Sequence, residues 1–356
     1  MIHLCHLFCL GFLSCSSRLI QVDRLPMRLI AALSLPLFLT GCSEFADHGP
    51  VSAKIQAQME AMVVTKAQFL RQMEGCRVIP DKSVSLPFQM SNGVPVLKAS
   101  INGNKPILMM YDTGASRSLI QVNTVVANKV LVLPAAEATV EMQGVVGKEQ
   151  GRIGLLNSLS LGEWTLSGYP CLVRTFENKL AHSHGGHSFP DSLLGFDLAL
   201  DHCSFLTLDY PSNKIIFGFS HPFEAPTGRR VSSAPFKVLQ GVPHVTISSG
   251  GKTWQSIVDT GSFNGVEISE EVASLLGVQN KGKKIHGLHL MAIGGTVTSG
   301  QVNMRVVKLR DLSMLGDVYR DAEVDIAPGP PRVGSFFLKD YRVTFDFRRK
   351  RLWLEW

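Results

Sequence analysis

The sequence predicts a mainly β protein of two homologous lobes, preceded by an N-terminal helix. Three observations carry this. Asp-Thr-Gly is written twice, each time at the end of a short apolar run, Ile107 to Asp112 and Trp254 to Asp259. From Pro80 onward the chain consists of short alternating or apolar runs broken by Gly, Asn and Pro, which is a β texture. The features flanking each Asp-Thr-Gly also recur in the same order in both halves.

Length and composition frame this reading. A chain of 356 residues with 45% hydrophobic content is long enough for two cored domains and too apolar for disorder. The net charge of +6 is mild and scattered, so no nucleic-acid partner is expected. The basic run Arg348-Arg349-Lys350-Arg351 lies between apolar residues and reads as a solvated strand or turn.

The beginning of the chain carries an address. Met27-Arg28 opens a basic stretch, Leu29 to Leu39 is apolar apart from Ser34, and Leu39-Thr40-Gly41-Cys42 follows. A charged start, a short apolar region and small residues before a cut describe a secretory signal. The apolar region is too short to span a bilayer. Leu-Thr-Gly-Cys in this place closely resembles a bacterial lipobox. The resemblance implies a signal peptide over 27–41 and a diacylglyceryl thioether on Cys42. It also implies a lipid-anchored protein on the periplasmic face of the cell envelope, at the outer membrane because Ser43 and not Asp follows the cysteine. Residues 1–26 fit this plan poorly, and translation is expected to start at Met27.

The remaining cysteines are Cys76, Cys171 and Cys203. An odd number in an oxidising compartment leaves room for one disulfide and one free thiol. Cys171 and Cys203, in one lobe, are the preferred pair. No Cys–His spacing matches a zinc site. His182, His184 and His187 read as a solvated loop, and Asp191 and Asp197 as turn and loop residues.

The elements follow in order. Residues 42–82 form a lipidated tether and a helix, in which Ile55, Met59, Met62, Val63, Phe69, Leu70 and Met73 recur at helical spacing from Lys54 until Gly75 ends it. Lobe 1 covers 83–220, a linker rich in Pro, Gly and charge covers 221–230, and lobe 2 covers 231–356. In lobe 1 a strand from Val94 to Ile101 meets Asn102-Gly103, a hairpin turn signal, before the strand that ends in Asp112. In lobe 2 Val242 to Ser249 meets Gly250-Gly251 before the strand that ends in Asp259. Glycine-rich hairpins follow at Gly144 and Gly147 and at Gly294 and Gly295. Next come Leu193-Leu194-Gly195 in one half and Arg332-Val333-Gly334 in the other, each followed by a strand pair.

A carboxylate at the end of an apolar strand, followed by Thr and Gly, suits a site shared by two lobes. Gly allows a tight turn and a close approach. Thr can bond across to a partner loop, and Ser116 and Ser262 can orient the carboxylates. Two facing carboxylates cannot both ionise freely, so Asp112 and Asp259 would share a proton and titrate as a unit. One then takes a proton from water while the other gives one to a carbonyl oxygen. That chemistry needs no metal and no cofactor.

This constellation resembles the aspartic peptidases, over roughly Ser85 to Trp356. The resemblance implies two retropepsin- or pepsin-like β-barrel lobes around a central cleft, combined as a monomeric pseudo-dimer. Asp112 and Asp259 would be the catalytic dyad. Thr113 and Thr260 would interlock the lobes, with Gly114 and Gly261 in the same loops. Leu193, Leu194 and Gly195, with Val333 and Gly334, would be the ψ-shaped supports, where Arg332 replaces an apolar residue. Gly144, Gly147, Gly294 and Gly295 would mark the flaps. Neither flap holds the Tyr of pepsin-like flaps, and each half is short, which places the chain nearer the retropepsin-like branch. The expected activity is endopeptidase hydrolysis of a peptide or protein substrate. The competing expectation is a non-catalytic envelope lipoprotein that binds peptides in the same cleft.

Overall fold

A computed structural model of the chain describes residues 48–73, 80–178, 190 and 192–356. The expectations placed on Met27, the signal peptide, Cys42, Gly75, Cys76, His182, His184, His187 and Asp191 lie outside the described residues.

The chain is mainly β in two lobes, as its texture predicts. Among the described residues the strands form a nine-stranded sheet in the first half and a thirteen-stranded sheet centred on the second, with two two-stranded ribbons. The larger sheet draws on both halves. Its strands Val231–Leu239, Arg351–Glu355, Arg342–Asp346, Phe205–Asp209, Lys214–Gly218 and Val84–Pro87 lie side by side in that order. The central pair comes one strand from each half, with Thr207 opposite Thr344 and their buried hydroxyls 2.8 Å apart. Equivalent strands of the two halves lie at equal distances on either side, so the duplication read in the sequence has its pseudo-twofold centre there.

One continuous core runs beneath both lobes and holds Tyr111, Trp164, Phe196, Phe217 and Phe345. Phe196 of the first half meets Phe345 of the second edge-on, with ring centroids 5.4 Å apart. Gly250 and Gly251, at φ 53° and 74°, make the tight turn between Val242–Ser249 and Lys252–Asp259. In the first half Asn102 and Gly103 turn in the same way, with the Asn104 amide donating to the Ile101 carbonyl at 3.0 Å. There Pro106 delays the return strand, which begins only at Ile107. The expected linker, 221–230, contains neither helix nor strand.

Two expectations need correction. The N-terminal helix is two short ones, Ala53–Glu60 and Lys66–Met73. The break falls at the β-branched run Val63-Val64-Thr65, where Val63 forms a parallel bridge to Val132 and the Val64 amide donates to the Val132 carbonyl at 3.1 Å. Thr65 then restarts the helix. Its Oγ1 accepts from the Gln68 amide at 3.2 Å, and Gln68 Oε1 accepts from the Thr65 amide at 2.9 Å, a capping box that helical periodicity alone passes over. The second correction is the disulfide, because Cys171 and Cys203 are both free. Cys171 lies inside the sheet against Gly154 of the paired strand, whereas Cys203 follows the short helix Asp197–Leu200 and is partly exposed. Shared membership of a lobe does not bring Cβ vectors to bonding geometry. Burial pushes both thiols well up, which leaves them unreactive.

Candidate active site

Each Asp-Thr-Gly loop is held from beneath by the predicted apolar-Gly segment. Leu193–Gly195 runs parallel to Ile107–Asp112 with Gly195 opposite Asp112. Arg332–Gly334 runs parallel to Lys252–Asp259 with Gly334 opposite Asp259. Leu194 and Val333 are fully buried below. The loops are also tied down through their backbones. The Phe196 amide donates to the Ala115 carbonyl at 2.8 Å, and the Ser335 amide to the Ser262 carbonyl at 2.7 Å.

The two loops grip each other through their threonines. Thr113 N donates to Thr260 Oγ1 at 3.0 Å, and Thr260 N donates to Thr113 Oγ1 at 3.0 Å. The hydroxyls in turn donate onward, Thr113 Oγ1 to the Val258 carbonyl at 2.6 Å and Thr260 Oγ1 to the Tyr111 carbonyl at 2.7 Å. Both side chains are completely buried. Each of these four bonds has a counterpart from the other half, and both amides and both hydroxyls are satisfied.

This grip brings the carboxylates together. A Cβ built on Gly114 would stand 2.5 Å from Asp259 Cγ, and one built on Gly261 would stand 2.6 Å from Asp112 Oδ1. Each glycine therefore makes room for the other lobe's acid, so the third position of the motif is fixed by a close approach. Each carboxylate is also held by its own loop. Gly114 N donates to Asp112 Oδ1 at 2.8 Å, Gly261 N to Asp259 Oδ1 at 2.9 Å, and Ser262 N to the same oxygen at 3.1 Å. Burial, the negative charge of Asp259 and a shared hydrogen bond with it raise Asp112 well above the usual carboxylate range. Burial also raises Asp259, but the Arg332 cation works against that rise.

The serines are placed differently from one another. Ser262 follows its Asp by three positions and Ser116 by four. Ser262 holds Asp259 by its amide, while its hydroxyl donates to Glu267 Oε2 at 2.9 Å. Ser116 instead lies against Gly241 of the other half.

Two charged residues join the site, Arg332 and Glu267. Arg332 Nε donates to Glu267 Oε2 at 2.6 Å, both residues being buried, and lies 3.9 Å from Asp259 Oδ2. The sequence marks Arg332 as a departure from the apolar pattern, but Glu267 escapes notice. Its signal is an acid within Val266-Glu267-Ile268, opposite an arginine in a similarly apolar run. Asp197 is likewise more than a loop residue. It is buried, accepts from the Tyr169 hydroxyl at 2.9 Å, and burial pushes it up to about 6.

The two glycine hairpins come from opposite lobes and meet. One joins Thr139–Gln143 to the strand starting at Lys148, and the other joins His289–Ala292 to Gly295–Thr298. Gly147 and Gly294 pack backbone to backbone, and Gly294 N donates to Glu149 Oε1 at 2.9 Å. Arg174 pairs with Glu149 and donates to the Ala292 carbonyl at 3.3 Å. Between hairpins and carboxylates lies a cavity of about 740 Å³, lined by Asp112, Asp259, Val145, Met291, Ile293 and Arg332.

Such a site brings two acids from the two halves together beneath a covered cavity. No curated protein is similar in sequence. Among solved structures, the aspartic proteinase from Irpex lacteus matches 77% of this chain and 97% of its own, at 14% identity and a TM-score of 0.45. Residues 97–198, which hold the first Asp-Thr-Gly loop, its glycine hairpin and the Leu193–Gly195 strand, match the family model Aspartyl protease.

Proposed function

We propose that the protein is an aspartic endopeptidase in which Asp112 and Asp259 together activate a water against a peptide carbonyl. The observation that supports this best is the reciprocal grip of Thr113 and Thr260, which sets two carboxylates from opposite lobes at the floor of a covered cleft. Thr113, Gly114, Thr260, Gly261 and Ser262 position the acids. Leu193, Leu194, Gly195, Val333 and Gly334 support their loops, and the hairpins at Gly144, Gly147, Gly294 and Gly295 act as flaps. A substrate would lie extended between flaps and dyad and bond through its main chain. Incubating residues 43–356 with a peptide library across pH tests this reading, and absence of cleavage at every pH tells against it.

Hydrolysis by this route needs one proton on the pair. Asp112 is raised well above the ordinary range by burial and by its neighbour's charge. Activity is therefore expected to persist above the pH at which a free carboxyl ionises, and to fall as pH passes the upper value of the pair. A kcat/KM profile that keeps rising well past neutrality would contradict the shared proton.

The lipobox-like Leu39-Thr40-Gly41-Cys42 supports a place of work at the envelope, with the cleft on the periplasmic side. Membrane fractionation checks this. The native chain is expected in the membrane fraction and Cys42→Ala in the soluble one, since two or more acyl chains anchor stably.

A further inference from the structure

The duplicated site is symmetric in its grip, its glycines and its supports, but besides the serines the strands that flank the two loops break the symmetry. In lobe 1 the two strands beside the Asp-Thr-Gly loop meet through Leu119 opposite Leu193. At the same register in lobe 2 stand Glu267 opposite Arg332. A leucine pair fills this place in the first lobe, so packing alone does not call for charge. Burying an ion pair costs desolvation that an apolar pair avoids.

The lobe 2 pair is also built for more than mutual neutralisation. Glu267 is held by Asn264 Nδ2 at 2.7 Å and by Ser262 Oγ at 2.9 Å, so its carboxylate is fixed on three sides. Burial would push Glu267 up, yet Arg332 and these hydrogen bonds hold it below its ordinary value. Arg332 places Nε on Glu267 and Nη2 on the Pro328 carbonyl at 3.2 Å, while Nη1 is buried without a hydrogen-bond partner. From that position its Nε is 3.9 Å from Asp259 Oδ2.

We infer that Arg332, clamped by Glu267, is a positioning residue that makes the two acids non-equivalent, keeping Asp259 as the carboxylate and leaving the shared proton on Asp112. On the proposed hydrolytic reading, this assigns the roles. Asp259 takes a proton from the water whose oxygen bonds to the carbonyl carbon, and Asp112 gives its proton to the carbonyl oxygen. The product is a neutral gem-diol, and the pair again holds one proton. The groups that act on Asp259 are Asp112 from the facing loop, Arg332 and Glu267 from the two flanking strands, and Tyr210, whose hydroxyl reaches Ser335 at 3.2 Å beneath the loop. Arg332 is the cation among them.

The test copies lobe 1 into lobe 2 by making Arg332→Leu with Glu267→Leu, alongside Arg332→Lys. The acid limb of kcat is expected to move to higher pH in the double variant, because the Arg332 cation that lowers Asp259 outweighs the Glu267 anion that raises it. Arg332→Lys should keep the limb near its native position. A folded double variant with the native pH profile overturns the inference. A second measurement needs neither that variant nor activity. Carbon-13 carboxyl titration of the native protein, assigned with Asp112→Asn and Asp259→Asn, should show Asp259 ionising first, and Asp112 ionising first overturns the inference. Asp259 ionising first in a native protein that cleaves no peptide would leave this inference standing and refute the hydrolytic reading alone.

Discussion

Asp259→Asn and Asp112→Asn are each expected to lower kcat/KM by about 10³-fold or more, in line with the loss of a positioned acid or base. Asn has nearly the volume of Asp, and its Oδ1 can still accept from Gly261 N and Ser262 N, or from Gly114 N in the first loop. It cannot take or give the shared proton. The fold should tolerate the change, because both native acids are raised by burial and a neutral amide removes that cost. Thermal unfolding midpoints at neutral pH are therefore expected to equal or exceed that of the native protein. Retention of more than a tenth of native kcat/KM by either variant, with the fold intact, would show that the pair is not the reacting centre.

Much of this arrangement is legible in the chain because the duplication writes it twice. Asp112 and Asp259 end apolar strands, and Leu193-Leu194-Gly195 and Arg332-Val333-Gly334 recur downstream. The structure sets each Gly of these supports opposite its Asp by strand register. What repeats in sequence at a similar interval becomes equivalent in space. The features that escaped are those that occur once. Glu267 has no acidic counterpart in lobe 1, since Leu119 stands there, so comparing the halves gives no reason to expect it. The break at Val63 depends on a bridge to Val132, far along the chain, which local helical spacing does not register. A pairing of Cys171 with Cys203 rests on lobe membership alone, while the strand direction that turns Cys171 toward Gly154 is a property of the folded sheet. Periodicity and repetition therefore reveal the frame, and single tertiary contacts decide the exceptions.

The grip between the lobes carries the second large expectation. Thr260→Val preserves shape but removes the acceptor of the Thr113 amide and the donor to the Tyr111 carbonyl. Thr113 and Thr260 are fully buried, so water cannot replace either partner. Leaving a buried backbone group unsatisfied costs roughly 1–3 kcal/mol, so the variant should lose about 2–5 kcal/mol in urea unfolding. Thr260→Ser keeps the hydroxyl and should recover most of that loss. Activity at temperatures where Thr260→Val remains folded should still fall by about 10²-fold, because a displacement near 1 Å at the reacting groups is enough for that. Thr113→Val should act alike through the Thr260 amide and the Val258 carbonyl. Combining the two should cost less than the sum, since each removes bonds from one shared network. If Thr260→Val stayed within about 1 kcal/mol of the native protein, the four bonds would not be what holds the lobes in register. The weight would then shift to the shared sheet around Thr207 and Thr344.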